Sequence, residues 1–382
     1  MRSRPHYGER FRMTERRERL YFLDDGRGIA VLYVVIFHIV FVPAIQYPRP
    51  AKVFLEFGGS GVILFFLISA FSLCYTMPKH LSHEYPMLSY AVARLFRILP
   101  LYYFMLLLTI WRDWVWRDMT FDWSKILATT VFAFNFNPQW VTGIVWASWT
   151  IGVEMPFYLL FPLLYFRLRT IWQKIIVAIL AAWAVYAFDQ YVIQLISDPI
   201  LARRYSHYNL LHHFPVFVIG MIAFDVYQYV KTKNFDRSTG WLISCVGLSL
   251  VWMMALNKYT KTSFEMDHLT AIGYATLLIG LSISPISIFS NSITRFYAKI
   301  CYSTYLWHPF VIFALSPTYR VIYAMPISLW LKLGACIALT LPVVTAVAWC
   351  SFHLIEKRGD RMGKIFLKWA SDRRRAVPAP VE

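Results

Sequence analysis

Apolar runs about twenty residues long recur along almost the whole chain, and they decide what it can fold into. GVILFFLISAFSLCYTM, residues 61–77, is one of them. Coiled into a helix, a run of that length spans the roughly 30 Å hydrocarbon core of a bilayer. Inside hydrocarbon every backbone N–H and C=O needs a partner within the protein, which restricts such runs to helices. The sequence therefore predicts an all-α polytopic membrane protein. Charge is scarce in keeping with this: 15% of residues are charged, against roughly 25% in a soluble domain.

Ten spans are expected, at roughly 29–46, 57–77, 98–111, 146–166, 174–193, 210–230, 240–257, 268–287, 300–317 and 327–352. The apolar stretch ILATTVFAF, residues 126–134, is too short to cross, and Asn135, Asn137 and Pro138 follow it. Residues 126–140 are therefore read as a re-entrant or interfacial segment. Loops on the cytoplasmic side are enriched in lysine and arginine. With ten spans and both termini inside, 27 of the 38 lysines and arginines fall on that side. A full span at 126–140 would move the 16 from Arg167 onward to the outside.

This gives a basic cytoplasmic N-tail (1–28), a transmembrane domain (29–356) and a basic cytoplasmic C-tail (357–382), in a plasma (inner) membrane. RMGKIFLKWA, residues 361–370, reads as a short amphipathic helix on the inner surface. The net charge of +17 sits in loops and tails, so it orients the protein towards membrane lipids and does not point to nucleic acid. The arginine-rich start lacks an apolar core, so no cleavable signal is expected. Five cysteines lie in apolar runs without metal-ligand spacing, so neither disulfides nor a metal are expected.

Ionisable groups within spans are costly and mark function. His38 is the first, in RGIAVLYVVIFHIVF. Arg27 precedes it by eleven residues, about three turns at 100° per residue, so both share one helix face, about 16 Å apart. That spacing suits a long ligand with an anionic head and a reactive end, the shape of an acyl-coenzyme A. Arg94 and Arg97 follow in ARLFRILP, at the expected inner surface, where guanidinium groups hold phosphates by paired bonds. Glu154 lies well inside WTIGVEMPFYLLFPLL and can accept a proton or orient a hydroxyl. His308, in CYSTYLWHPF, is a further candidate. The plain structural reading is an interhelical hydrogen bond for the histidines and Glu154, and surface anchoring for the arginines. Trp146 and Trp149 read as an interfacial belt.

Taken in order, these blocks resemble the integral-membrane acyltransferase family 3. LDDGRGIAVLYVVIFH carries Asp24, Arg27 and His38 with the family's arginine-x10-histidine spacing; Arg94 and Arg97 fit its arginine-x-x-arginine motif; and Glu154 and Tyr158 stand in their expected places. GVILFFLISAF, YSTYLWH with His308, and Glu356 are similar too. Where the family often has Gly-Leu after the first aspartate, this chain has Asp25-Gly26. The resemblance implies O-acylation of cell-surface or secreted glycans or lipid-linked sugars, with acyl-coenzyme A as cytoplasmic donor, acetyl the favoured group, and no bound cofactor. It implies catalytic roles for His38 and Glu154, with Arg27, Arg94, Arg97, Asp24, Tyr158 and His308 binding substrate. His38 is then either general base or acyl-accepting nucleophile. No appended extracytoplasmic domain is expected, and the oligomeric state stays open. The rival reading is a proton-coupled transporter or flippase of lipid-linked sugars or small organic acids, since intramembrane histidine and glutamate also relay protons.

Overall fold

The computed structural model describes residues 19–259 and 267–375. Expectations for residues 1–18, 260–266 and 376–382 lie outside the described residues. Within them the chain is helical, with no β-strand. Helix α1 is Tyr21–Phe41, followed by the short α2 (Lys52–Glu56), α3 (Gly61–Leu81), α4 (Pro86–Arg117) and α5 (Trp123–Thr130). Next come α6 (Trp149–Arg167), α7 (Ile171–Tyr191), α8 (Pro199–Tyr208), α9 (Leu210–Lys231) and α10 (Arg237–Tyr259). The chain continues with α11 (Asp267–Ile283), α12 (Ser292–Lys299), α13 (Cys301–Ala324), α14 (Leu329–Ser351) and α15 (Lys357–Arg375).

Among the described residues seven helical segments are long and apolar enough to cross a bilayer, so the chain is a multi-pass membrane protein. They are built on α3, α4, α6, α7, α9, α10 and α14. The other three expected spans coincide with α1, α11 and α13. Asp24, Asp25 and Arg27 load α1 with charge, α11 has 17 residues, and α13 is rich in Ser, Thr, Tyr, His and Pro. Residues 126–140 hold the end of the eight-residue α5 and the 3-10 turn Ala133–Phe136. Eight residues rise about 12 Å, well short of a crossing. The 357–382 region does not begin as a loose tail. A π-turn, Phe352–Glu356, joins α14 to α15, and α15 lies along α4 with Phe366 on Phe96.

Helix α1 sits at the centre, with Ala30, Val31, Val34 and Val35 fully buried. It starts at Tyr21, eight residues before the expected 29, and ends at Phe41, where Pro43 removes a backbone donor and disfavours helix before it. Two glycines let it approach its neighbours backbone to backbone. A Cβ on Gly28 would stand 1.9 Å from the Thr294 carbonyl oxygen, and one on Gly61 would stand 2.7 Å from the Ala30 carbonyl oxygen. These small residues play the packing role expected of such helices. Helix α1 runs antiparallel to α3, with Gly26 beside Ile68 and Ala30 beside Gly61. Helix α9 runs parallel to α3, with Phe66 on Phe217 and Phe71 on Phe224. The starts of α3 and α9 and the end of α1 therefore meet at one end of the bundle.

Candidate active site

A cavity of about 110 Å³, about 840 Å³ once its open mouth is counted, lies between α1, α3, α4, α6 and α13. Arg27, Arg94, Arg97, Glu154 and Tyr158 all line it. Five residues from three separate blocks of sequence thus converge on one space. Arg27 and Arg94 are held by hydrogen bonds, and Arg97 lies near a buried carboxylate. Arg27 Nη2 donates to Ser72 Oγ at 2.6 Å and its Nη1 to Asp24 Oδ1 at 3.1 Å. Arg94 Nη2 donates to Thr76 Oγ1 at 3.2 Å, while its Nε is buried without a hydrogen-bond partner among the described residues. Arg97 faces the buried Glu356, whose carboxylate accepts from Ser303 Oγ at 2.9 Å.

Glu154 lines the same cavity, together with Ser69 and Tyr158. The Ser69 and Tyr158 hydroxyls are 2.7 Å apart. Tyr90 fixes the backbone there by donating to the Tyr158 carbonyl at 2.8 Å. Three guanidinium groups and one carboxylate line the space, while Asp24 and Glu356 balance charge from outside the lining; guanidinium donors gathered in this way are the chemistry of an anion site. Helix α4 starts at Pro86, earlier than expected, so Arg94 and Arg97 stand two to three turns inside it, within the bundle.

The two histidines and Asp24 do not line this cavity. His38 lies in the last turn of α1, because the helix stops at Phe41 instead of running on to the expected 46. Its Nδ1 is 3.2 Å from His308 Nε2 and 2.9 Å from the Val34 carbonyl oxygen. His308 Nδ1 is 2.6 Å from the carbonyl oxygen of Tyr305, and Tyr305 itself lines the cavity. The histidine pair is therefore one helical turn beyond the cavity wall. Asp24 bridges Arg19 at 2.6 Å and Arg27 at 3.1 Å, holding the Arg27 guanidinium rather than facing the cavity.

Sequence reading missed several parts of this arrangement. Trp146 and Trp149 were expected at the lipid interface. Instead, Trp146 packs 5.0 Å from the His38 ring, and Trp149 stacks on Tyr208 at 4.6 Å. Between them Ala147 adopts a left-handed φ of 66°, a costly conformation for a residue with a Cβ. Its carbonyl accepts from Tyr305 and Thr150 at 3.1 and 3.2 Å. Nothing in the letters WASW signals that turn. Asp25, the departure from the family pattern, is fully buried. It accepts from Thr294 Oγ1 at 2.8 Å and from Ser290, and lies 3.4 Å from Arg295 Nε. The five cysteines are free, as expected.

Fold and cavity together define a helical membrane protein with a cationic site enclosed by its own spans. Residues 20–349 match the profile of acyltransferase family 3, described as an acyltransferase domain. The chain belongs to that family. It is also similar to two proteins named "Putative O-acetyltransferase", from Staphylococcus aureus strains MRSA252 and COL. Each is 23% identical over 91% of this chain and 58% of the relative. The chain thus spans less than two thirds of their length. No solved structure matches it.

Proposed function

We propose that the protein is a membrane O-acyltransferase. It moves an acyl group, acetyl being favoured, from cytoplasmic acyl-coenzyme A to a hydroxyl of a cell-surface or secreted glycan or a lipid-linked sugar. The carrying observation is the convergence of Arg27, Arg94, Arg97, Glu154 and Tyr158 on one cavity. The arginines hold phosphate oxygens of the donor by charge-assisted bonds. The cavity is smaller than a whole coenzyme A, so the nucleotide end occupies the open mouth and the thioester arm reaches inward. Ten spans, with α1, α11 and α13 completing the set and both termini cytoplasmic, put that mouth on the cytoplasmic side.

The hydrogen bonds assign roles to the two histidines. A carbonyl oxygen only accepts, so the Tyr305 carbonyl requires a proton on His308 Nδ1. A neutral His308 then offers the Nε2 lone pair to His38 Nδ1–H, which the Val34 carbonyl also requires. That leaves the His38 Nε2 lone pair for chemistry. His308 is a positioning residue, in the sense that a second group fixes a histidine's tautomer. As general base, His38 Nε2 takes the acceptor hydroxyl proton while its oxygen bonds to the thioester carbon, the C–S bond breaks and coenzyme A leaves as the thiolate. As nucleophile, Nε2 first takes the acyl group, releasing the same thiolate; the acceptor oxygen then bonds to the acyl carbon, the C–Nε2 bond breaks, and the freed imidazole Nε2 takes the hydroxyl proton. Glu154 orients the acceptor or takes its proton.

A second cavity, of about 600 Å³, opens at the end of the bundle where α1 stops. Gln46, Ser316, Tyr323, Arg320 and Lys332 supply its polar lining, and Phe313 on its wall packs 5.9 Å from Trp146. It is large, polar and beside the ring that covers His38, which suits a sugar acceptor. The test is mass spectrometry of surface glycans from a deletion strain complemented with wild type or His38→Ala. Acylation should return with the wild type alone. Full acylation with His38→Ala at normal protein level overturns the reading, and substrate flux without acyl transfer in proteoliposomes would support transport in its place.

A further inference from the structure

Four of the ten histidines gather away from the cavity described above, where α8 meets α9 and α11 begins. His212 Nε2 lies 3.1 Å from Asp267 Oδ2. The rings of His207 and His213 stand 5.4 and 4.8 Å from the ring of His212, and that of His268 stands 6.2 Å away. One ligand atom each from His207, His212 and Asp267 lies within 4.8 Å of the others. We propose that these three residues form a binding site for a divalent transition-metal ion of the zinc class, clamping the start of α9 to the start of α11.

Two imidazoles and a carboxylate are a donor set that zinc and its first-row neighbours accept, with a fourth position open. Metal–ligand bonds of about 2.0–2.2 Å put tetrahedral ligand atoms about 3.2–3.6 Å apart. The 3.1 Å His212–Asp267 separation is already close to that, and His207 needs a side-chain adjustment only. The backbone is prepared for it. Asn135 Nδ2 donates to the Tyr208 carbonyl and its Oδ1 accepts from Leu210 N–H, each at 2.8 Å. Asn209 Nδ2 donates to the Ser206 carbonyl at 2.8 Å, and its Oδ1 accepts from His212 N–H at 3.0 Å. The corner that carries His207 and His212 is therefore pinned from both sides.

A packing or simple ion-pair role fits less well. His213 Nε2 must donate to the His207 carbonyl at 2.9 Å, which leaves its buried Nδ1 lone pair without a hydrogen-bond partner among the described residues. His268 Nδ1 is buried without one too. Buried polar atoms left unmet are costly, and beside these two imidazoles the ligand atoms of His207, His212 and Asp267 lie within reach of one ion. The clamp also bears on the entry to α6, since Trp149 packs on Tyr208 and, at 5.4 Å, on His213.

The test uses the full chain purified in detergent without a polyhistidine tag and stripped with a chelator. Titration with cobalt(II) should give one bound equivalent, read from its visible absorption bands, and zinc should displace it. Asp267→Asn and His207→Gln should each weaken cobalt binding more than about 10-fold. Less than one equivalent on the wild-type protein overturns the proposal, as does an unchanged affinity in both variants. Should the variants fail to fold, histidine modification by diethylpyrocarbonate on the wild type decides. Zinc should protect His207 and His212, and the absence of protection counts against the site.

Discussion

Arg94 shows how a single side chain carries binding without carrying the fold. It makes one hydrogen bond, to Thr76 at 3.2 Å, and leaves Nε unmet in the cavity wall. Its replacement by alanine removes a charge-assisted contact with the donor, worth about 1.5–3 kcal/mol. Arg94→Ala should therefore weaken acyl-coenzyme A binding about 10- to 100-fold, measured on purified protein, with an unchanged melting point. The histidine pair separates chemistry from positioning. His38→Ala should abolish transfer, whereas His308→Ala should lower kcat about 10- to 100-fold with KM nearly unchanged, because it frees the His38 tautomer and touches no substrate. Steady-state kinetics of the two variants distinguishes these outcomes. Equal losses in both variants would place His308 in the reaction itself.

At the scale of elements, α1 is held by what its first two turns bury. Gly28 allows the α12 backbone to pass within reach of its Cα, and an added methyl has no room because the obstructing atom is a backbone oxygen. Gly28→Ala should destabilise the packing of α1 on α12 by about 1–3 kcal/mol, seen as a lower melting temperature in detergent. Asp25 works at the same interface. Breaking a buried ion pair costs about 3–5 kcal/mol, but the Arg295 side chain is 40% exposed and water screens it. Asp25→Ala should therefore cost about 1–3 kcal/mol, mainly through the Ser290 hydroxyl it leaves without an acceptor, since Thr294 Oγ1 keeps the Asn291 carbonyl at 2.9 Å. A second pair with one buried partner, Lys174 Nζ on Asp225 at 2.6 Å, ties α7 to α9 in the same manner. Neither pair was legible beforehand. Partners separated by 51 and by about 270 positions have no shared periodicity, and only the packing of helices brings them together.

Considered whole, the molecule is a bundle whose orientation rests on the distribution of lysine and arginine. Single cysteines introduced into a cysteine-free background offer the check. Residues 233 and 364 should react with a membrane-impermeant maleimide only after the cells are opened, and residues 197 and 327 should react in intact cells. Labelling of 233 and 197 from the same side would refute the ten-span arrangement. The sequence by itself determined that the chain is helical and membrane-embedded, because long apolar runs leave the backbone no other way to satisfy its hydrogen bonds. It also marked Arg27, Arg94, Arg97 and Glu154, because charged groups in or beside such runs are costly enough to stand out, and the family resemblance added Tyr158. Tertiary structure alone decided that these five line one cavity while His38 and His308 pair one turn beyond it. It alone gathered His207, His212 and Asp267 at one corner. The reason is physical. Hydrophobic pattern and charge cost are local properties that a sequence displays directly. Which faces of distant helices meet depends on side-chain packing and backbone approach, and these exist only once the bundle has formed.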